Sequence, residues 1–286
     1  MTVYTPRHQK DLMNIPLSTY RLQLSSSFGF DAVAAVVPYL ARAGIGHVYS
    51  SPIFTARPGS THGYDVVDPR TLSEELGGKS AFSRAAGEAK RHGLGWLQDI
   101  VPNHMAFDRG NAPLMNVLER GKDSEFYAFF DIDWDHPYES LRGRVLAPFL
   151  GEFYGVALES GKIRLEFTDE GLSARYYEQR YPLMPASYRE VFSRGLDRLE
   201  EELGPGHPMI IRFVGALHFV AALTDDHETV ADVNQLRYAK EMLRSACEAS
   251  AHIPRHVARV LDEYAGAPGD PRSFDLLADL LCSQAL

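Results

Sequence analysis

Apolar runs of strand length alternate with helix-spaced segments through the first hundred residues. Leu17-Ser18-Thr19-Tyr20-Arg21-Leu22-Gln23-Leu24 alternates in part and is rich in β-forming side chains, which predicts a first strand, with Ser25 to Gly29 as the turn after it. From Phe30 to Ala43, Val33, Val36, Val37 and Leu40 recur at helical spacing, Asp31 lies near the start and Gly44 marks a stop. Pro38 interrupts this pattern, and an interior proline costs about 3 kcal/mol or bends the helix, so a kinked helix is expected. His47 to Ser51 predicts a second strand ended by Pro52, Ser80 to His92 a helix stopped by Gly93, and Trp96 to Val101 a third strand ended by Pro102. Strand, helix, strand, helix and strand with short joins imply right-handed crossovers and a parallel sheet.

After His104 the rhythm changes. Phe126 to Trp134 is aromatic-rich, and Asp131, Asp133 and Asp135 alternate with Ile132 and Trp134, which predicts one polar strand face rather than a metal cluster. Val145 to Leu183 alternates in short runs, with Glu159-Ser160-Gly161-Lys162 predicted as the hairpin turn between Gly155 to Leu158 and Ile163 to Phe167. Helices are predicted at Arg189 to Glu202, Val230 to Ala251, Arg255 to Tyr264 and Ser273 to Ala285, while Met209 to Leu223 fits helix or strand. The expected division is a parallel α/β portion over residues 1–107, an antiparallel insert over 108–186 and a helical subdomain over 187–286. No internal repeat or low-complexity tract stands out.

Asp99 breaks the apolar pattern of the third strand. Trp96, Leu97, Ile100 and Val101 suit a strand buried on both faces, where a carboxylate costs several kcal/mol unless it is paired or hydrogen-bonded. Asn103-His104 follow at once. A second polar cluster, Ser60-Thr61-His62-Gly63-Tyr64-Asp65, lies in the long loop after the second strand, expected to have no regular structure of its own. Parallel sheets place ligand sites at the C-terminal ends of their strands, and both clusters fall there.

Composition narrows the partners. The 286 residues are 45% apolar, enough for a substantial core, and the formal charge of −9 argues against a nucleic-acid partner. No apolar run is long enough to span a bilayer, and Met1 to Lys10 lacks the apolar core of a signal peptide, so a cytoplasmic location without membrane association is expected. Cys247 and Cys282 stand among apolar neighbours and are expected to be buried thiols, not a disulfide framework or a metal site. No Gly-rich phosphate loop follows the first strand, which disfavours a nucleotide-binding fold. No cofactor is expected.

These residues resemble glycoside hydrolase family 13, the α-amylase family. Asp99-Ile100-Val101-Pro102-Asn103-His104 is similar to its first signature region on barrel strand three, and His62-Gly63-Tyr64 to its sugar-stacking loop after strand two. Ser18 to Leu24, Ser51-Pro52-Ile53-Phe54-Thr55-Ala56 and Pro58 to Pro69 resemble, more narrowly, a branch that turns the reducing-end α-1,4 bond of a maltooligosaccharide into an α,α-1,1 bond, giving a trehalose end. The resemblance implies a (β/α)8 TIM barrel, of which this chain would hold the first three βα units, and an α-1,4-glucan as partner. It implies that Tyr64 stacks on a glucose ring, that His62 and His104 hydrogen-bond its hydroxyls, that Asp99 is a supporting carboxylate orienting a basic group, and that Asn103 braces the loop. Asp65 would touch a sugar hydroxyl or pair with a nearby arginine. A sugar has apolar ring faces and a hydroxyl rim, so an aromatic platform with a few directional donors binds it without net charge. The plainer alternatives are a core aromatic for Tyr64 and loop-capping histidines. The counterpart of Asn103 joins a calcium site in some relatives, but too few further oxygen ligands are present here to expect one.

The family's catalytic carboxylates belong to later strands, in regions opening with a Gly-x-Arg-x-Asp type of string. None occurs from Asp108 to Leu286: Arg142-Gly143-Arg144-Val145 lacks the aspartate, and Gly195-Leu196-Asp197-Arg198 has the wrong order. The chain is therefore expected to be the N-terminal part of a divided or truncated enzyme, inactive alone, or to work with a second chain that supplies the remaining strands. An α-glucan hydrolase fragment and a non-catalytic glucan-binding module are the competing readings.

Overall fold

The computed structural model describes residues 15–225 and 233–286, and its chain divides into two compact units, one ending at Asn111 and the other starting at Ala112. The first contains β1 (Thr19–Leu22), α1 (Phe30–Arg42), β2 (His47–Ser50), β3 (Phe54–Ala56), β4 (Val66–Leu72), α2 (Gly78–Arg91) and β5 (Gly95–Gln98). β1, β2 and β5 form a parallel sheet with β2 in the centre, its register aligning Leu22 with Ser50 and Ser50 with Gln98. α1 runs through Pro38 and buries Phe30, Val33, Val37 and Leu40, while α2 buries the four-spaced stripe Ala81, Ala85 and Ala89. These meet Leu22, Val48 and Leu94 in one apolar cluster, with Phe82 edge-on to both Phe30 and Trp96 at 5.3 and 5.4 Å between ring centroids.

Two expectations for this unit are corrected. The loop after the second strand has regular structure, because β3 and β4 pair antiparallel across it, with irregular register. The third strand is not buried on both faces. Among the described residues β5 has only β2 beside it, Leu97 is 36% and Ile100 59% exposed, and the strand ends at Gln98, one residue before Asp99.

The second unit contains α3 (Ala112–Arg120), α4 (Tyr154–Glu159), β6 (Ile163–Thr168), β7 (Gly171–Tyr176), β8 (Gln179–Pro182), α5 (Ala186–Phe192), α6 (Leu196–Leu203), α7 (Pro208–Asp225), α8 (Val233–Ala249), α9 (His252–Glu263) and α10 (Asp275–Cys282). β6, β7 and β8 make an antiparallel sheet in sequence order. The predicted hairpin turn at Glu159 to Lys162 is instead a helix end. Gly161, at φ +68°, lets its own amide reach Leu158 O and that of Lys162 reach Ala157 O, closing α4, and the hairpin turn falls at Asp169-Glu170. The expected helix from Arg189 to Glu202 breaks into α5 and α6 at Gly195, φ +64°. Asp131 and Asp133 lie in irregular backbone and Asp135 in a turn, not on a strand, with the Trp134 backbone N–H donating to Ile132 O at 3.1 Å. Met209 to Leu223 is helical, in α7, and the first residues of the helix expected from Val230 lie outside the described residues.

Sheet and helices of this unit share one core, in which Leu172 and Ile163 meet Tyr188, Phe192, Phe213, Leu243, Val257 and Leu277. The expectation of two buried thiols fails: Cys247 is half-buried against this core, and Cys282, past the last buried leucine of α10, is exposed. Among the described residues no helix is long and apolar enough to cross a membrane.

His256 couples this core to pH. It is 1% exposed; its Nε2–H donates to Phe192 O at 2.9 Å and its Nδ1 accepts from Arg259 Nη2 at 3.1 Å. Burial holds the imidazole below its ordinary range and Arg259 adds to this, while the hydrogen bond to Phe192 O opposes it, with Glu202 and Glu263 beside it. The unfolded chain takes up a proton near pH 6.5, roughly, and the folded one does so only at lower pH, so stability present above that range is lost as pH falls through it. The urea midpoint is expected to drop between pH 8 and pH 5.5, and to drop less in His256→Gln, whose amide can still donate to Phe192 O. Equal drops in the two proteins would refute the assignment.

Candidate functional site

The parallel register sets Arg21 beside Tyr49 and Tyr49 beside Leu97. Alternate residues of a strand share a face, and the Asp99 amide still donates to Ser50 O at 3.0 Å, so Asp99 extends the row that Leu97 belongs to. Arg21, Tyr49 and Asp99 thus gather at the C-terminal ends of three adjacent parallel strands. Tyr64 reaches the same point from the loop between β3 and β4. Its phenol donates to Asp99 Oδ2 and accepts from Arg21 Nη2 at 2.8 Å. Tyr49 Oη stands 3.4 Å from the same carboxylate oxygen, Arg21 Nη2 3.6 Å from it, and the Arg21 guanidinium lies 5.2 Å from the centre of the Tyr49 ring.

The loop carrying Tyr64 is tied down residue by residue. Gly63 has φ +77°, and a Cβ there would stand 3.0 Å from Pro52 O, so both backbone conformation and close approach call for glycine. Ser60 Oγ accepts the Gly63 N–H at 3.1 Å and donates to the Asp65 carboxylate. His62 Nδ1 accepts the Tyr64 N–H at 3.0 Å, which leaves its Nε2 as the protonated nitrogen of the neutral ring; that ring stacks on Tyr64 at 6.0 Å and 28°. His104 Nε2–H donates to Tyr64 O at 3.1 Å, and its Nδ1 lies 3.2 Å from Asn103 Oδ1.

Five of the six residues singled out in the sequence therefore form one connected cluster: His62, Tyr64, Asp99, Asn103 and His104. Asp65 faces its own loop, hydrogen-bonded to Ser60 and 3.8 Å from His62 Nδ1, and meets an arginine only through its carbonyl, which accepts the Arg57 N–H at 3.0 Å. The Asp99 carboxylate holds the Tyr64 phenol above the usual phenol range, with Arg21 pulling the other way. The hydrogen bond to Tyr64 in turn raises the Arg21 guanidinium. Arg21 and Tyr49 have no assigned role in the sequence reading. The signal that marks them is their place near the ends of strands one and two, on the face that Asp99 continues.

Residues 29–143 match the alpha-amylase catalytic domain. That stretch is similar to part of an α-amylase catalytic domain. Over 148 residues the chain is 44% identical to a putative maltooligosyl trehalose synthase of Mycobacterium tuberculosis, a match covering 49% of this chain and 19% of that relative. The solved maltooligosyltrehalose synthase of Arthrobacter ramosus superposes with TM-score 0.52 at 35% identity, over 69% of this chain and 23% of that one. A hypothetical maltooligosyl trehalose synthase from Sulfolobus tokodaii gives TM-score 0.52 at 35% identity, over 68% of this chain and 24% of the other. The chain thus spans about a quarter or less of the length of these relatives. β1, β2 and β5 are three strands of an incomplete TIM barrel.

Proposed function

We propose that this chain supplies a glucose-gripping wall of a cytoplasmic enzyme of trehalose biosynthesis. That enzyme would open the reducing-end α-1,4 bond of a maltooligosaccharide, retain the released glucose, and re-attach it through its anomeric hydroxyl to give an α,α-1,1 end. The observation that carries the reading is the Tyr64 phenol seated on Asp99 at the C-terminal end of a parallel sheet, with His62 stacked on the same ring and His104 clasping the same residue's carbonyl. Tyr64 would meet the apolar face of a glucose unit and the Nε2–H of His62 would face its hydroxyl rim, with Asp99 fixing both the tyrosine and the cation beside it.

Breaking the bond with retention needs a nucleophilic carboxylate and a second carboxyl group about 5 Å apart. Residues 108–286 contain no Gly-x-Arg-x-Asp string, so the chain is assigned to binding rather than bond cleavage. Among the described residues β1 and β5 are the edges of the parallel sheet, where further strands, from the same polypeptide or a second one, would add. Titration of the purified chain with maltopentaose is expected to show saturable binding that Tyr64→Ala abolishes, and no non-reducing product on prolonged incubation. Binding that survives Tyr64→Ala, or appearance of a non-reducing product, would contradict the reading.

A further inference from the structure

We propose that Arg21 is a positioning residue: held over the Tyr49 ring, its guanidinium pins the Tyr64 phenol against Asp99 and so sets the orientation of the ring offered to a glucan. The proposal rests on the glucan reading for its consequence, but its geometry stands apart. A phenol has one proton and accepts readily along its in-plane lone pairs. In this site the proton goes to Asp99 Oδ2 and the oxygen accepts from Arg21 Nη2 at 2.8 Å, so both directions about the Cζ–Oη axis are specified. A tyrosine held only by Asp99 could swing about that one bond; held by both, its ring plane is fixed.

Arginine suits this task for three reasons visible in the geometry. Its planar cation stacks on Tyr49 at 5.2 Å from the ring centre, which orients the fork. Its charge strengthens the bond to the phenol. Its proximity to Asp99, 3.6 Å, balances the carboxylate that receives the phenol proton. The side chain is 38% exposed at the mouth of the site, and Asp99 17%, so the tether is reachable by ligand yet partly shielded from water. The basic partner of Asp99 thus comes from the first strand of this same chain. A lysine could supply the charge but neither the fork nor the flat face.

Positioning differs from direct sugar contact in how substitutions combine. Maltopentaose affinity is to be measured for the whole chain as wild type, Arg21→Met, Arg21→Lys, Tyr64→Phe and the double variant Arg21→Met with Tyr64→Phe. Arg21→Met is expected to weaken binding about tenfold and Arg21→Lys about threefold, a partial rescue. In the Tyr64→Phe background, where the phenol tether is already gone, Arg21→Met should change affinity by less than about twofold. A full tenfold loss in that background would mean that Arg21 acts on the sugar independently, and no loss in either background would mean that it does nothing; both overturn the proposal.

If the wild-type chain shows no maltopentaose binding, the glucan reading falls while the tether remains testable through ionisation of Tyr64. Tyrosine labelled with ¹³C at Cζ, with the Tyr64 resonance assigned through Tyr64→Phe, should titrate at higher pH in Arg21→Met and at lower pH in Asp99→Asn than in wild type. A Tyr64 titration unchanged by Arg21→Met overturns the tether whatever the sugar result, and Arg21→Gln, which also removes the charge, carries the same comparison should the methionine variant not fold.

Discussion

Gly95→Ala is expected to destabilise the first unit by about 1–3 kcal/mol, the range found when a well-packed core must absorb extra atoms. The added methyl would stand far closer to His47 Cδ2 and Nε2 than van der Waals contact allows, because His47 and Gly95 are register partners on β2 and β5 and the imidazole reaches over the glycine. His47 is 7% exposed and has little room to swing away. The sign is diagnostic. A glycine in a strand with no close neighbour gains from alanine, since the unfolded chain loses freedom, whereas here steric conflict outweighs that gain. The unfolding midpoint in urea measures it, and His47→Ser combined with Gly95→Ala should recover most of the loss by removing the ring. Wild-type stability in Gly95→Ala would mean that β2 and β5 are not paired as described. The effect reaches the site because the Asp99 amide continues the same ladder to Ser50 O; a loosened β5 takes the carboxylate away from Tyr64.

The parallel portion is legible in the sequence because each of its signals is local. The helical spacing of Val33, Val37 and Leu40, the alanine stripe of α2 and the proline stops after the strands each point to one element. Glycine beside polar residues is less decisive: Ser160-Gly161 reads equally as a hairpin turn or a helix stop, and only the apolar Ala157 and Leu158 packed beneath it decide for the helix. Exposure of Leu97 and Ile100 is invisible locally, since bulk and β-propensity are the same in a central and an edge strand and the difference lies in the number of neighbours. α7 is apolar nearly all round, so periodicity could not separate helix from strand there.

The site divides the same way. Tyr64, Asp99 and His104 come together because two polar clusters end consecutive parallel strands, which sequence order alone places on one rim. Arg21 looks like any strand arginine until the register sets it beside Tyr49. Its role depends on a contact 43 residues away along the chain, from the Arg21 guanidinium to the Tyr64 phenol, and no local pattern encodes that contact.

Asp99→Leu is expected to cost roughly 30-fold in maltopentaose affinity, about 2 kcal/mol, with a smaller effect on the unfolding midpoint than Gly95→Ala. Leucine fills the same space, so the change isolates chemistry from packing. It strands the Tyr64 proton, removes the acceptor facing Tyr49 Oη and leaves Arg21 without its carboxylate at 3.6 Å. A partner left without its counterpart loses more than the net worth of the pair, because it must find water or stay unsatisfied. The figure sits below the 3–5 kcal/mol typical when one member of a fully buried pair is removed, since the Arg21 side chain is 38% exposed and water screens part of its charge. Asp99→Asn separates the two contributions: its carbonyl can still accept from Tyr64 but offers Arg21 no charge, so its loss should be intermediate, near tenfold. Equal losses in Asn and Leu would assign the whole effect to charge. An unchanged affinity in both would show that the carboxylate, although it holds the tyrosine, does not shape the surface the sugar meets.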